Sequence, residues 1–365
     1  MIYLLSLIIG IYALSIGGLI YGFTKINSIA FVGLKPKTIF TIIVPFRNEA
    51  ENLPLLLESF SNLNYPTDLF EVILVDDDSG ERFQIPNSKF QVSVIENIRV
   101  SNSPKKDAIT SAMQIVKTDW SITTDADCIV NPDWLLTLDN YIQLHEVSMI
   151  AGAVTYKCKN SFLHHFQQLD LASLQGATIG SFGLRKGFMC NGANFAYTKT
   201  LFQELNGFDG NDKIASWDDV FLLQKAMARF PEKVSYLKSK NTIVNTKPLD
   251  DWKSLFYQRV RWASKTGSYQ SRFGFSLGLV VFLGNLCLVF GFGLLLMGGI
   301  PLIDLLLLLM TKFVVDTILL YKTNRFLTKT KMRFLLFSSL LYPFFSVSVA
   351  LYSLFGKFEW KGRRF

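Results

Sequence analysis

The sequence predicts an α/β domain with a mostly parallel sheet, held between transmembrane helices at the two ends of the chain. Three observations predict it. Half of the 365 residues are hydrophobic, which argues against a purely soluble protein. Uncharged apolar runs are concentrated near both termini. Between them, short β-branched runs alternate with amphipathic stretches, as strands alternate with crossover helices. The chain divides accordingly into an anchor over 1–24, a linker over 25–37, the α/β domain over 38–272, a membrane region over 273–356 and a basic tail over 357–365.

The formal charge is +8, but the Lys and Arg residues flank apolar segments or are scattered among acids. This excludes a nucleic-acid stripe and points to a membrane surface as the partner of that charge. Cys128, Cys158, Cys190 and Cys287 show no paired ligand spacing, so they read as reduced thiols.

Tyr3 to Phe23 carries no charge and is long enough to cross about 30 Å of hydrocarbon. With no basic n-region and no small-residue cleavage site, it reads as a retained signal anchor. Lys25, Lys35 and Lys37 follow it and place the next domain in the cytosol by the positive-inside rule. Strands are expected over Ile39 to Val44, Glu71 to Val75, Gln91 to Ile95, Trp120 to Thr123 and Val147 to Val154. Helices are expected over Ala50 to Asn62 and Lys105 to Val116. A sheet of this kind collects ligands at the carboxyl ends of its strands.

The loops after those strands hold the candidate chemistry. Pro45 to Glu51 contains Asn48 and Glu51, which form a capping box for the next helix. Asp76, Asp77 and Asp78 are successive carboxylates, either a solvated turn or acceptors for a base N–H and ribose hydroxyls. Asp125 and Asp127 follow an apolar strand two residues apart, so on an extended chain they share one side. Hard oxygen ligands in that number suit Mg²⁺ or Mn²⁺ bound jointly with phosphate oxygens; the alternative is another acidic turn. Lys105 and Lys106 either add positive charge at the phosphates or simply start a helix.

Cys190 to Asn194 and Asn206 to Asp209 read as structural turns. Trp217, Asp218 and Asp219 open the stretch Val220 to Ala228. The acids suit the positive end of a helix dipole, or one of them serves as general base for a hydroxyl, with Trp217 offering a face to a sugar ring or packing in the core. Gln258, Arg261 and Trp262 lie in the amphipathic segment Trp252 to Gln270, whose plain reading is an interfacial helix. Leu277 to Met297 and Leu302 to Leu320 form an apolar hairpin about Gly298 to Pro301. Asp304, Lys312 and Asp316 lie on one face of its second arm, as an internal Lys312–Asp316 pair or as a lining for a lipid acceptor. A last apolar stretch, Phe334 to Phe355, is interrupted at Pro343, where a bend would keep the basic tail cytosolic.

Taken in order, these motifs resemble the inverting family 2 glycosyltransferases from Thr41 to Trp262. The loop Pro45 to Glu49, the Asp76–Asp77 turn, the Asp125-Ala126-Asp127 DxD, the Asp218–Asp219 pair and the Gln258-x-x-Arg261-Trp262 motif stand in the family's order. The resemblance implies a GT-A fold and a metal-dependent hexosyltransferase using a nucleotide-sugar donor, with UDP expected. It implies that Pro45, Glu49, Asp76, Asp77, Lys106, Asp125, Gln258 and Arg261 bind the donor and that Asp127 ligates Mg²⁺ or Mn²⁺. Asp219 would be the catalytic base, with Trp217, Asp218 and Trp262 on the acceptor side. Asp218 stands where the family commonly has Glu, and Asp78 where it often has Gly. The span count favours single transfer to a lipid or lipid-linked glycan over a processive polysaccharide synthase. A reading from another class is a non-catalytic nucleotide-sugar-binding membrane module.

Overall fold

The computed structural model describes residues 1–29, 33–81, 83–85, 87–210, 218–264, 271–355, 359–360 and 363–364. In chain order the elements are α1 (Ile2–Lys25), β1 (Phe40–Phe46), α2 (Leu53–Ser61), β2 (Phe70–Asp76), β3 (Gln91–Glu96), α3 (Pro104–Ile115), β4 (Trp120–Thr123), α4 (Trp134–Leu144), β5 (Met149–Gly152) and β6 (Val154–Tyr156). There follow α5 (Phe162–Gly183), β7 (Phe195–Thr198), α6 (Lys199–Glu204), α7 (Asp218–Arg229), β8 (Val234–Leu237), β9 (Val244–Thr246), α8 (Trp252–Ala263), α9 (Arg272–Leu296), α10 (Leu302–Leu327) and α11 (Leu335–Phe355). They form two compact units. One comprises Ile26–Lys157 and Gly187–Lys247, the other Met1–Lys25, Cys158–Lys186 and Pro248–Phe365. Helix α5 and the segment from Pro248 group with the terminal helices.

The α/β unit is a seven-stranded sheet in the order β3-β2-β1-β4-β7-β5-β8. Strands β3, β2, β1 and β4 run parallel, and only β7 runs against its neighbours. Ile42, Val44, Val72 and Leu74 on one face and Ile43, Ile73 and Val75 on the other are all buried, as a sheet between helix layers requires. The chain moves outward from β1 to β2 and β3 and then returns to β4 on the other side of β1. That reversal opens a crevice at the carboxyl ends of β1 and β4.

The single strand expected over Val147 to Val154 is two. β5 stays in the main sheet, whereas β6 pairs with β9 in a separate ladder. Asn194 fixes the break, because its Nδ2 donates to the Ala153 and Thr242 carbonyls at 2.8 and 2.6 Å. A methyl at Gly152 would stand 2.4 Å from that amide.

In the helical unit, α1 and α5 meet backbone to backbone: a methyl at Gly183 would lie 1.8 Å from the Gly22 carbonyl oxygen. Helix α9 ends in a Schellman motif. Gly298 (φ +72°) donates to Leu295 and Gly299 to Leu294, which starts the hairpin the sequence predicted. Ile2–Lys25, Arg272–Leu296 and Leu335–Leu354 are long and apolar enough to cross a membrane. Helix α10 is as long, but its apolar run holds Asp304, Lys312 and Asp316. Lys312 Nζ reaches Asp316 Oδ2 at 2.5 Å and Tyr12 Oη donates to Asp316 Oδ1 at 2.6 Å, so the pair is internally satisfied, as the plainer reading held. No bend back occurs at Pro343, which lies inside one helix, Leu335–Phe355.

Candidate functional site

Each loop at the carboxyl edge of the sheet is held by hydrogen bonds that its own sequence supplies. After β1, Asn48 adopts φ +53°. Its N–H donates to Ser79 Oγ at 2.9 Å and its Oδ1 accepts from Gly80 N–H at 2.9 Å, tying this loop to the acidic turn after β2. The capping box with Glu51 does not form. Helix α2 starts four residues later than that box requires, with Asn52 before it, and Asn52 Nδ2 donates to Glu49 Oε2 at 2.6 Å. A left-handed Asn48 links two loops instead of capping a helix.

Within the acidic turn the three carboxylates separate by role. Asp76 Oδ1 accepts from the N–H and hydroxyl of Ser79, closing the turn. Asp77 is buried, and its Oδ1 accepts from Asn97 Nδ2 at 2.7 Å and from an Arg99 amino group at 3.1 Å. Asp78 is 82% exposed on its side chain and sits at φ +64°, with Arg47 3.2 Å away. Asp77 is therefore the carboxylate turned inward. Asn97 and Arg99, which sequence reasoning passed over, hold it; they follow β3 and carry no motif of their own.

Asp125 and Asp127 are not on extended chain. Cys128 N–H donates to the Asp125 carbonyl at 3.1 Å, so the pair lies on a turn, and the two carboxylates meet different partners. Asp125 accepts from Lys105 Nζ at 2.7 Å, and Asp127 accepts from Thr246 Oγ1 at 3.0 Å. Burial pushes the Asp127 carboxyl up, and the charges of Asp125 and Glu49 add to it. A cation would relieve that cost, and hard carboxylate oxygens suit Mg²⁺ or Mn²⁺. Among the described residues no three His, Cys, Asp or Glu side chains converge as a closed metal cage. The donor set fits an ion whose remaining positions are filled by phosphate oxygens and water, not one held by protein alone.

Asp218 and Asp219 open α7 as expected. Asp219 Oδ1 accepts from Val220 N–H at 2.7 Å and Oδ2 from Gly192 N–H at 2.5 Å. Burial, followed by the charge of Asp218, pushes the Asp219 carboxyl up to about 7, against the opposing pull of Lys105 and both N–H groups. A carboxyl poised there exchanges its proton readily at neutral pH.

Lys105 and Gly192 bring the two acidic pairs into one site. Lys105 Nζ bonds Asp125 and stands 3.9 Å from Asp218 Oδ2. Burial disfavours its charge, but Asp125, Asp218 and Asp219 together outweigh burial and raise its pKa. Gly192 accepts from Thr123 Oγ1 at the end of β4 at 2.8 Å and donates to Asp219, so one peptide segment spans the two. A methyl on Gly192 would come 3.2 Å from Lys105 Nζ and 3.3 Å from Asp218 Oδ2. The turn Cys190 to Asn194, read from sequence as structural, is a wall of the site. Lys106, expected at the donor, is 2% exposed with its ammonium 6.0 Å from the Phe221 ring centroid, and the neighbouring Lys105 bonds Asp125.

Pro45 lies on β1 opposite Val75, within the strand. Trp217 lies outside the described residues. Gln258, Arg261 and Trp262 are on α8, in the helical unit. There the neighbouring Arg259 is buried, bonds Asp170 of α5 at 2.5 Å and stacks its guanidinium 4.2 Å from the Trp262 ring centroid. Residues 265–270 of the expected amphipathic segment are outside the described residues.

The family model for Glycosyl transferase family 2 matches residues 41–205. The "Probable glycosyltransferase YdaM" of Bacillus subtilis (strain 168) is 26% identical over 242 residues, covering 61% of this chain and 54% of that protein. The chain thus spans about half the length of the curated relative it matches. Mannosyltransferase PcManGT from Pyrobaculum calidifontis, solved in complex with GDP-Man and Mn²⁺, superposes with a TM-score of 0.53 at 14% identity, covering 96% of this chain and 99% of that one. S. aureus TarS 1-349 gives a TM-score of 0.43 at 12% identity, covering 89% of this chain and 95% of that one. The segment 41–205 is thus similar to glycosyltransferase family 2 domains, and its acidic loops stand at the carboxyl edge of a mostly parallel sheet of the GT-A type.

Proposed function

We propose that the protein is a membrane-bound inverting hexosyltransferase that moves a sugar from a nucleotide donor, UDP-linked, to a lipid or lipid-linked glycan at the cytoplasmic face of the membrane. The observation that carries this reading is the bridge through Lys105 and Gly192, which joins Asp125, next to the proposed metal ligand, to Asp219, the proposed base. A site that only binds a nucleotide sugar needs no carboxyl poised to take a proton.

Asp77 faces inward and accepts hydrogen bonds from Asn97 and Arg99, so it suits the N–H edge of a pyrimidine base. Asp76, Glu49 and Pro45 are assigned to the same donor end by the sequence motifs they belong to. Asp125 meets the donor, with Lys105 supplying positive charge for its phosphates as the Lys105–Asp125 contact loosens. Asp127 would hold Mg²⁺ or Mn²⁺, which when bound would neutralise charge on the leaving diphosphate. Asp219, fixed by the Gly192 and Val220 N–H groups, takes the acceptor hydroxyl proton as that oxygen attacks the anomeric carbon from the face opposite the diphosphate. Attack on that face inverts the centre. Asp218 and Trp217 belong to the acceptor side in this scheme, and Gln258, Arg261 and Trp262 are assigned to the diphosphate and acceptor by the sequence motif they form.

The test is to incubate the purified chain and its membranes with a panel of nucleotide sugars and Mg²⁺ or Mn²⁺, identifying products by mass. A single-sugar adduct of a lipid supports the reading. Donor binding with neither transfer nor hydrolysis, for every sugar, would leave a binding module instead, and long polymers would make it a processive synthase.

A further inference from the structure

Four cations stand at helix ends on one end of the helical unit. Helix α1 ends at Lys25, Arg185 and Lys186 follow the end of α5, and α9 begins at Arg272. Backbone contact brings the first two ends together, since methyls at Gly22 and Gly183 would lie 2.1 Å from Gly180 O and 1.8 Å from Gly22 O. The Lys186 ammonium lies 5.4 Å from the Phe273 ring centroid, which sets the start of α9 beside them. Lys25, Arg185, Lys186 and Arg272 are all exposed. Among the described residues none of the four takes part in an ion pair.

Other cations of the unit have polar or acidic partners. At the other end of α5, Arg333 donates to Asn160 Oδ1 at 2.6 Å and Lys159 stands 3.6 Å from Asp250. Farther in, Asp170 is taken by Arg259 and Asp316 by Lys312. Arg185 also holds φ +57°, where a helix end favours glycine, so the sequence keeps a cation at a position that would take Gly more easily. Beside the four cations, Tyr21 and Phe275 are 57% and 49% exposed. Cations and aromatics at the mouths of two apolar helices match the headgroup layer of a bilayer.

We propose that this patch docks the headgroups of acidic phospholipids in the bilayer that α1 and α9 cross. It rests on the membrane reading of those helices. Arg185 and Arg272 offer planar donor forks for a phosphodiester, and Lys25 and Lys186 act as point charges. Because the four cations come from three chain segments, a bound headgroup offsets their mutual repulsion and fastens α1, α5 and α9, so lipid binding stabilises the folded unit.

The test uses the full chain in neutral detergent micelles doped with phosphatidylglycerol or phosphatidylcholine, following thermal unfolding. Phosphatidylglycerol is expected to raise Tm by about 5 °C over phosphatidylcholine. About 1 M NaCl, where the Debye length is about 3 Å, should remove most of that rise. The variant Lys25→Gln/Arg185→Gln/Lys186→Gln/Arg272→Gln should lose it. A variant of equal charge change on exposed lysines of the α/β unit, Lys89→Gln/Lys117→Gln/Lys233→Gln/Lys240→Gln, should keep it. Equal Tm values in the two lipids, a rise retained by the first variant, or a rise lost equally by the second each overturn the proposal. Alkaline carbonate extraction of the wild-type chain separates the two claims. Release from the membrane contradicts the membrane reading, whereas resistance to extraction with no lipid selectivity contradicts this inference alone.

Discussion

Asp219 is where one side chain carries the most consequence. Its folded pKa of about 7 lies above the ordinary carboxyl value, so the folded chain holds that proton more tightly than the unfolded one. The stability this contributes is complete below about pH 4 and is lost as pH rises through about 7. Asp219→Asn should therefore raise Tm relative to wild type more at pH 8 than at pH 5, as calorimetry at the two pH values can check. For catalysis the sign is opposite, because a base must be ionised. Wild-type kcat/KM should fall about tenfold per pH unit below about 7. Lys105 opposes the rise of Asp219, so Lys105→Ala should move that acid limb to higher pH and weaken donor binding, with Lys105→Arg moving it less. A profile unchanged in Lys105→Ala would show that Asp125 is the only carboxyl Lys105 serves.

At the scale of elements, α8 and α5 are joined by a buried pair, Arg259 with Asp170, whose side chains are each only 6% exposed. Removing one member takes the counter-ion from the other's buried charge, which costs about 3–5 kcal/mol. Asp170→Ala should lower stability by that order in denaturant titrations in detergent; a loss under about 1 kcal/mol would mean that Arg259 finds solvent. The strands and the long apolar helices were legible in the sequence because periodicity and length are local properties: Trp120–Thr123 falls where the sequence put it, and β1 and β2 differ from it by one or two residues at each end. What was not legible depended on contacts far along the chain. The break between β5 and β6 comes from Asn194, the choice of Lys105 over Lys106 from which face of α3 meets Asp125, and the role of Gly192 from a carboxylate 27 positions away. The Asn48–Glu51 capping pattern misled because two neighbouring loops compete for the same asparagine and hold it left-handed.

Over the whole molecule, the described core clusters of both compact units are apolar. The sheet core of Phe40, Ile42, Val44, Leu74 and Trp134 is apolar, and the terminal helices bury Leu5, Ile9, Cys287 and Leu288 against one another. Chelation with EDTA should therefore abolish transfer while shifting Tm in the absence of donor by no more than about 1 °C. Asp127→Ala should make donor affinity insensitive to added Mg²⁺ or Mn²⁺, as titration calorimetry with and without the ion can show. The central claim is that a carboxyl at position 219, joined through Gly192 and Lys105 to the donor loop, takes the acceptor proton. Its most direct measurement is the transfer rate of purified Asp219→Asn, taken with its affinity for the donor. The account predicts donor binding within about threefold of wild type and transfer slower by about 10²–10⁴; transfer at the wild-type rate would contradict it.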